Sequence, residues 1–399
     1  MPPAPPAAAV PSSPAPVVVV GGGFGGLSTA LALAAANGAP PVLLIEPQDR
    51  FLFLPLLYEL LSGELRRWEI APRYSELLAG RGVAWLQERV VAINHLQRTL
   101  RTDGGRTLPY SDLVIATGGR SESFGIPGVA EHALGFRSLT DVERLQELVR
   151  RLRLRLHPLQ RLVVVGAGAS GVELACKLAD LLDGAALIEL IEQGPELLPG
   201  SKAFNRDQAQ LALQRCDIRL RTQTRVAAVR ADSLDLQPAA GGPAETLRCE
   251  AVIWTGGVSA CVPALEPAVP LDRRGRLPCN TALQVTAAEH LFALGDAAAC
   301  PTADDGDNHP ANAQVAMQQA SCVAANLLRH RRNDPLQPFA WNDLGEMLGL
   351  GVGQASLTGM GFTLAGPAAF QLRRLAYLAR LPGPAHQLRV ASGWLTAWL

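Results

Sequence analysis

Four consecutive valines, Val17–Val20, run directly into Gly21-Gly22-Gly23-Phe24-Gly25-Gly26. A short apolar run bounded by glycine predicts a buried strand, and the apolar stretch 27–36 predicts a helix after it. A second apolar run, Val42-Leu43-Leu44-Ile45, ends on an acid, Glu46. Strands are expected again at Val83–Leu86, at 90–93 and from Asp112 onward, the last ending in Ala116-Thr117-Gly118-Gly119, small residues that let a chain pass close to a nucleotide. The pattern then repeats. A strand at 162–165 leads into Gly166-Ala167-Gly168-Ala169-Ser170-Gly171, then a helix through Leu182, a strand from Leu187 and the acid Glu192. A later strand, Ala251–Trp254, copies the first unit's ending in Thr255-Gly256-Gly257.

The spacing of these glycines carries chemistry. Gly21, Gly23 and Gly26 follow the pattern in which the first allows a tight turn, the second lets backbone approach a pyrophosphate and the third packs helix against strand. Glu46, 20 residues beyond Gly26, suits a carboxylate that accepts ribose hydroxyls. Gly166, Gly168 and Gly171 with Glu192 repeat the set at nearly the same spacing. Two complete fingerprints predict two dinucleotides and electron transfer between them. A carboxylate at position 192 repels the 2′-phosphate of NADPH and favours NADH, although a cation from a distant loop leaves NADPH open.

Between the fingerprints and beyond them the chain is less explicit. The apolar segment 51–63 must lie against something, either as a core helix started by Pro55 and capped by Gly63 or as a wall over an aromatic cofactor. Leu294-Gly295-Asp296 ends a strand; by itself this reads as a common turn, and only in a chain that binds FAD would Asp296 suit the ribityl hydroxyls of the flavin. A helix at 311–328 places Gln314 and Gln318 on one face, where solvated glutamines are the ordinary reading. The basic run 150–155 reads as a solvated helix edge, and the acidic loop 304–307 lacks calcium-loop spacing. In the last seventy residues Arg373, Arg374 and Arg380 lie among leucines and aromatics, and Trp394 and Trp398 come near the end. That mixture suits a helix in a membrane interface, the alternative being one docked on the protein's own core or on a dimer partner.

Composition narrows the function. Of 399 residues, 36 are Lys or Arg and 36 Asp or Glu, so no global charge favours nucleic acid, and 5% aromatic content argues against base-stacking platforms. The seven cysteines show no C-x-x-C pair, which disfavours a zinc site and a disulfide-reductase relay. Residues 1–16, nearly all Pro, Ala, Ser and Val after the initial Met, are expected to be a disordered tail without signal-peptide character. No apolar run reaches bilayer-spanning length.

Two fingerprints, two Thr-Gly-Gly endings and Ala293-Leu294-Gly295-Asp296 resemble the two-dinucleotide flavoproteins, and among them the type II NADH dehydrogenases, rotenone-insensitive NADH:quinone oxidoreductases. The segments 55–63, 68–73, 342–347 and 375–382 are similar to the branch that reduces demethylphylloquinone in phylloquinone synthesis. The resemblance implies an α/β fold of two Rossmann-like dinucleotide-binding domains plus a C-terminal membrane-association region. It divides the chain into FAD-binding parts at 17–125 and 265–330, an NAD(P)H-binding domain at 126–264 and a C-terminal region at 331–399. It places FAD on Gly21, Gly23, Gly26, Glu46, Thr117, Gly118 and Asp296, and NADH on Gly166, Gly168, Gly171, Glu192 and Gly256. Glu173 would stand near nicotinamide and flavin, with Gln314 and Gln318 at a quinone pocket. A naphthoquinone substrate, peripheral attachment to the cytoplasmic side of a plasma or thylakoid membrane, no nucleic-acid partner and an open question of homodimerisation complete the expectation. Rivals are a respiratory enzyme using plastoquinone or ubiquinone, a sulfide:quinone oxidoreductase, and an NADH-binding redox sensor.

Overall fold

Val17–Val20 is buried at every residue because it is a middle strand with a parallel neighbour on each side. The structure is a computed structural model that describes residues 15–155, 160–302 and 307–396. Most of the expected tail, three residues of the acidic loop and Trp398 lie outside the described residues. The chain divides into two units. One holds the described residues up to Asp49 with Arg73–Gly119 and Ala260–Trp341, the other Arg50–Pro72, Arg120–Ser259 and the described residues from Asn342. This division takes 50–72 and 342–396 into the second unit, whereas the sequence pattern places 50–72 in the first and sets the C-terminal region apart.

In the first unit five parallel strands follow the order Leu291–Ala293, Asp112–Ile115, Val17–Val20, Val42–Ile45, Val83–Leu86. The chain order reverses on either side of Val17–Val20, which puts a crevice at its carboxyl end. The helix Phe24–Ala34 starts three residues earlier than expected, since Gly25 and Gly26 are themselves helical. It packs against the helix Ala313–Arg331, whose start is capped by Asn312 Oδ1 accepting from Val315 N at 2.9 Å.

The second unit repeats the plan. Its sheet runs Arg219–Arg221, Leu187–Ile191, Arg161–Val165, Ala251–Trp254, Ala133–Leu134. Gly166 N donates to Ile191 O at 2.8 Å just as Gly21 N donates to Ile45 O at 2.9 Å in the first unit. Helix Ala169–Leu182 follows the turn. The helix Leu139–Leu154 buries Val142, Leu145, Leu148 and Leu152 and leaves Arg150, Arg151 and Arg153 outside, as its basic run suggests. The 51–63 segment becomes a 3₁₀ turn, Leu54–Leu56, and a short helix, Leu57–Leu61, with Leu56 and Leu57 buried. Three antiparallel strands, Glu346–Gly349, Ala355–Gly359 and Phe362–Gly366, precede the helices Pro367–Leu378 and Pro384–Thr396. Among the described residues no helix is long and apolar enough to cross a membrane.

A methyl group at Gly26 would sit 1.8 Å from Gly21 O and 3.2 Å from the Ala116 Cβ, and the backbone carbonyl cannot yield as a flexible side chain would. Gly26→Ala is therefore expected to lower stability by about 2–3 kcal/mol, read from the midpoint of chemical denaturation. Gly23→Ala, whose added methyl meets nothing within 4 Å, should leave the stability of the ligand-free protein within about 0.5 kcal/mol of wild type.

Candidate functional site

In the first unit the glycine turn has the shape its pattern implies. Gly21 has φ +98°, and a Cβ there would meet Ala116 O at 2.4 Å and Thr117 Cα at 2.9 Å, so the turn is pressed against the end of the neighbouring strand. Gly23 opens the helix with no side-chain cap, leaving amides of the first turn for an anion. Glu46 is held before any ligand arrives: Gly22 N donates to its Oε2 at 2.7 Å and Gln48 N to its Oε1 at 2.9 Å. Among the described residues buried Thr117 Oγ1 has no hydrogen-bond partner, and Gly118 beside it has φ +64°. An open cradle at Gly23, a fixed carboxylate and an orphaned buried hydroxyl fit the adenosine diphosphate half of a dinucleotide.

Two residues here carry no local sequence signal. Tyr74 donates its hydroxyl to Gly22 O at 2.8 Å and packs 5.5 Å from the Trp85 ring; burial pushes its ionisation well up, so it stays a neutral donor. Gln319, buried one residue beyond Gln318, accepts from Gly295 N at 2.7 Å. It fixes the turn Gly295–Ala297 that carries half-buried Asp296. Helical phase would have separated Gln319 from the two predicted glutamines. Gln314 Oε1 accepts from Trp341 Nε1 at 3.2 Å. Gln318 lines a groove of about 370 Å³ with Ser321, Cys322, Asn326 and Phe339.

The second unit holds an open cavity of about 410 Å³ lined by Gly166, Ile191, Glu192, Thr224, Trp254 and Gly256, among others. Glu192 repeats the first site's chelation, with Ala167 N donating to Oε2 at 2.8 Å and Gly194 N to Oε1 at 2.7 Å. Gly168 again offers open space, and Gly171 again lies 1.8 Å, measured from its missing Cβ, from the first glycine's carbonyl.

Glu173 is not in that cavity's lining. It belongs to a buried charge cluster. Its Oε1 accepts from Gly349 N at 2.5 Å and from Arg373 Nη2 at 3.3 Å. Arg373 Nη1 pairs with Glu59 and its Nη2 donates to Pro55 O at 2.9 Å, while its guanidinium lies 4.8 Å from the Tyr377 ring centre. Arg373 is 0% exposed, which corrects its expected place at a membrane interface: no aqueous or headgroup partner reaches it. Nearby, Lys177 Nζ pairs with Glu64 Oε2 at 2.5 Å. Burial pushes the Glu173 carboxyl up to about 7, against the opposing pull of Arg373 and the Gly349 amide, with Glu59 adding a further push upward.

The cysteines are all free thiols. Cys216 Sγ donates to Asp180 Oδ1 at 3.8 Å and accepts from Arg215 Nη2 at 3.5 Å, and the influence of Cys176, forty positions away in the chain, brings its thiol down to about 7. Sequence spacing could not show that pair.

Raising the Glu173 carboxyl from near 4.5 to about 7 means that the native state holds a proton the unfolded chain releases. The protein should therefore lose up to about 3 kcal/mol of stability as pH rises from about 4.5 through 7. Glu173→Gln removes that loss; denaturation midpoints of variant and wild type should diverge in the variant's favour between pH 5 and 8.

The pyridine nucleotide-disulphide oxidoreductase family pattern matches residues 15–320. A demethylphylloquinone reductase, NdbB, of Synechocystis sp. is 40% identical over 381 residues, 94% of each chain. An Arabidopsis thaliana protein, alternative NAD(P)H-ubiquinone oxidoreductase C1, is 34% identical over 93% of this chain and 78% of its own. In fold, the chain is similar to NDH2 of Plasmodium falciparum in complex with NADH, with a TM-score of 0.85 at 17% identity over 96% of this chain and 97% of that one.

Proposed function

The chain belongs to the pyridine nucleotide-disulphide oxidoreductase family and, within it, to the type II NADH:quinone oxidoreductases, and on that premise we propose that it is an FAD-dependent NAD(P)H:quinone oxidoreductase whose substrate is a demethylphylloquinone-like naphthoquinone. The observation that carries this reading is the presence of two complete cradles, each with a backbone-held acid, in one chain. When bound, FAD supplies the hydride acceptor that connects a two-electron nicotinamide donor with a quinone.

The chain's own residues bind, orient and hold protons. Gly21, Gly23 and Gly26 place helix-start amides toward the FAD pyrophosphate, Glu46 takes ribose hydroxyls, Thr117 and Gly118 line the adjoining strand end, and Asp296 takes the ribityl chain. Gly166, Gly168 and Gly171 with Glu192 and Gly256 serve the nicotinamide dinucleotide in the same way. Reducing a quinone to its quinol consumes two protons, and Glu173 is a buried carboxyl able to hold one near pH 7. Gln314 and Gln318 supply amide groups to orient quinone carbonyls.

Purified, FAD-loaded protein assayed with NADH and NADPH against a quinone panel tests the proposal. Expected is at least tenfold higher kcat/KM for prenylated naphthoquinones than for benzoquinones. Equal or better turnover of benzoquinones would support the second reading, a respiratory enzyme, which the name of the Arabidopsis relative favours. A long-lived reduced protein inert to every quinone would leave only a redox sensor.

Membrane attachment belongs to the same proposal. Helix Pro367–Leu378 buries Ala369, Phe370, Arg373 and Tyr377 and leaves Leu372 and Leu375 exposed; the helix after it exposes Leu388 and Leu395. Trp394, by contrast, is docked, with Nε1 donating to Glu69 Oε1 at 2.7 Å and the Arg374 guanidinium 4.2 Å from its ring. The exposed leucines would hold the protein peripherally on the cytoplasmic side of a plasma or thylakoid membrane. Deleting the helices would also remove buried Arg373, so point substitution is the cleaner experiment. Replacing Leu375, Leu388 and Leu395 by Gln should cut co-sedimentation with anionic vesicles about tenfold or more, each leucine contributing on the order of 1 kcal/mol. Unchanged sedimentation with a shift from dimer to monomer would assign the leucines to a homodimer instead.

A further inference from the structure

Among the residues lining the 410 Å³ cavity of the second unit, two are ionisable, Glu192 and Arg225. Their situations are opposite. Glu192 has one backbone N–H on each oxygen, so its charge is damped and its direction fixed. Arg225 stands exposed on the strand Thr224–Val229 and directly opposite Gln237 on the next strand. Its Nε and Nη2 both donate to a neutral acceptor, Gln237 Oε1, at 3.2 and 2.6 Å. Among the described residues it has no carboxylate partner, whereas its neighbours Arg221 and Arg230 are paired with Glu245 and Asp235.

We propose that Arg225 is the residue through which this cavity accepts a 2′-phosphate on the adenosine ribose, so that the chain takes NADPH as well as NADH. The inference rests on the dinucleotide reading of the second unit and adds its specificity. A guanidinium matches a phosphate with paired N–H groups, and at a cavity rim the phosphate keeps much of its hydration, so a modest reorientation suffices. The same rim position leaves the cavity able to hold a ribose without the phosphate, through Glu192. The competing explanation is that Arg225 merely pairs across the hairpin with Gln237, which the register alone would account for.

Two measurements on the FAD-loaded full chain separate these. The first is calorimetric affinity for adenosine 2′,5′-bisphosphate relative to AMP. The second is the ratio of kcat/KM for NADPH to that for NADH. Arg225→Gln should lower both ratios at least tenfold, equivalent to about 1.4 kcal/mol, and Arg225→Lys should restore part of the loss. The wild-type preference for the bisphosphate should weaken as salt rises. Ratios within twofold of wild type in Arg225→Gln, or a wild-type protein that binds AMP and rejects the bisphosphate, would overturn the proposal. Binding that follows the expected ratios without turnover of either nucleotide would overturn the functional reading and leave the role of Arg225 standing.

Discussion

Each nucleotide unit depends on a helix lying so close to a strand turn that a backbone carbonyl occupies the space of a side chain. Gly21 O does so at Gly26, and Gly166 O at Gly171. That contact is possible only without a Cβ, and it decides where the helix begins and therefore where its unpaired amides point. The consequences spread through the first unit. With the helix drawn in, Gly25 leaves room for Leu294, since a Cβ would come 1.9 Å from Leu294 Cδ1. Leu294 leads into the Gly295 turn, and Gln319 from the partner helix ties that turn in place. One steric allowance at Gly26 thus helps set the position of Asp296, 270 residues later.

The second unit adds an electrostatic constraint that no pattern of apolar positions encodes. Arg373 is wholly buried and answers two carboxylates and a carbonyl, joining the 50–72 segment, the helix Ala169–Leu182 and the helix Pro367–Leu378. Removing one partner from such a group costs far more than the group contributes over an apolar core, because a charge is left unsolvated. Even so the balance is incomplete: among the described residues Glu59 Oε2 has no hydrogen-bond partner, and a single guanidinium cannot fully compensate two anions. Burial first, and the Glu59 charge after it, therefore raise the Glu173 carboxyl to about 7 against the pull of Arg373, so that it titrates near physiological pH. A structural ion cluster and a proton-holding group are here the same residues.

Much of this was legible in the sequence where the chemistry is local. Glycine spacing and the acid at each strand end predict the tight turns found at Gly21 and Gly166 and the position of Glu46 and Glu192 beside them, because strand, turn and helix are consecutive in the chain. What stayed hidden depends on partners far away. Arg373 reads as interfacial among leucines until Glu59 and Glu173, 314 and 200 positions distant, are seen to meet it. Trp394 reads as a membrane anchor until Glu69 takes its N–H. Tyr74 and Gln319 act through backbone atoms of Gly22 and Gly295, and backbone contacts leave almost no trace in residue type at the far end. Gly22 is the exception, since a Cβ there would fall 2.3 Å from the Tyr74 hydroxyl.

That exception bears on why two nearly identical cradles should do different work. The second cradle has Ala167 where the first has Gly22, and the Ala167 carbonyl accepts from the Leu198 backbone N–H at 2.9 Å where Gly22 O accepts from the Tyr74 hydroxyl. Each acid is held by an equivalent pair of backbone amides, Gly22 and Gln48 on Glu46, Ala167 and Gly194 on Glu192. The difference lies around the acid. Tyr74, with Trp85 packed against it, bonds to the first turn itself, and its hydroxyl is fixed on Gly22 O. The second turn opens on a cavity of about 410 Å³ with a charged, exposed residue on its rim. The second turn is braced too, Gly166 O accepting from Thr255 Oγ1 at 3.2 Å, so the contrast rests on the cavity: an open one suits a ligand that must leave after every turnover. The proposed division, FAD on the first cradle and nicotinamide on the second, follows from that contrast as much as from the order of the motifs.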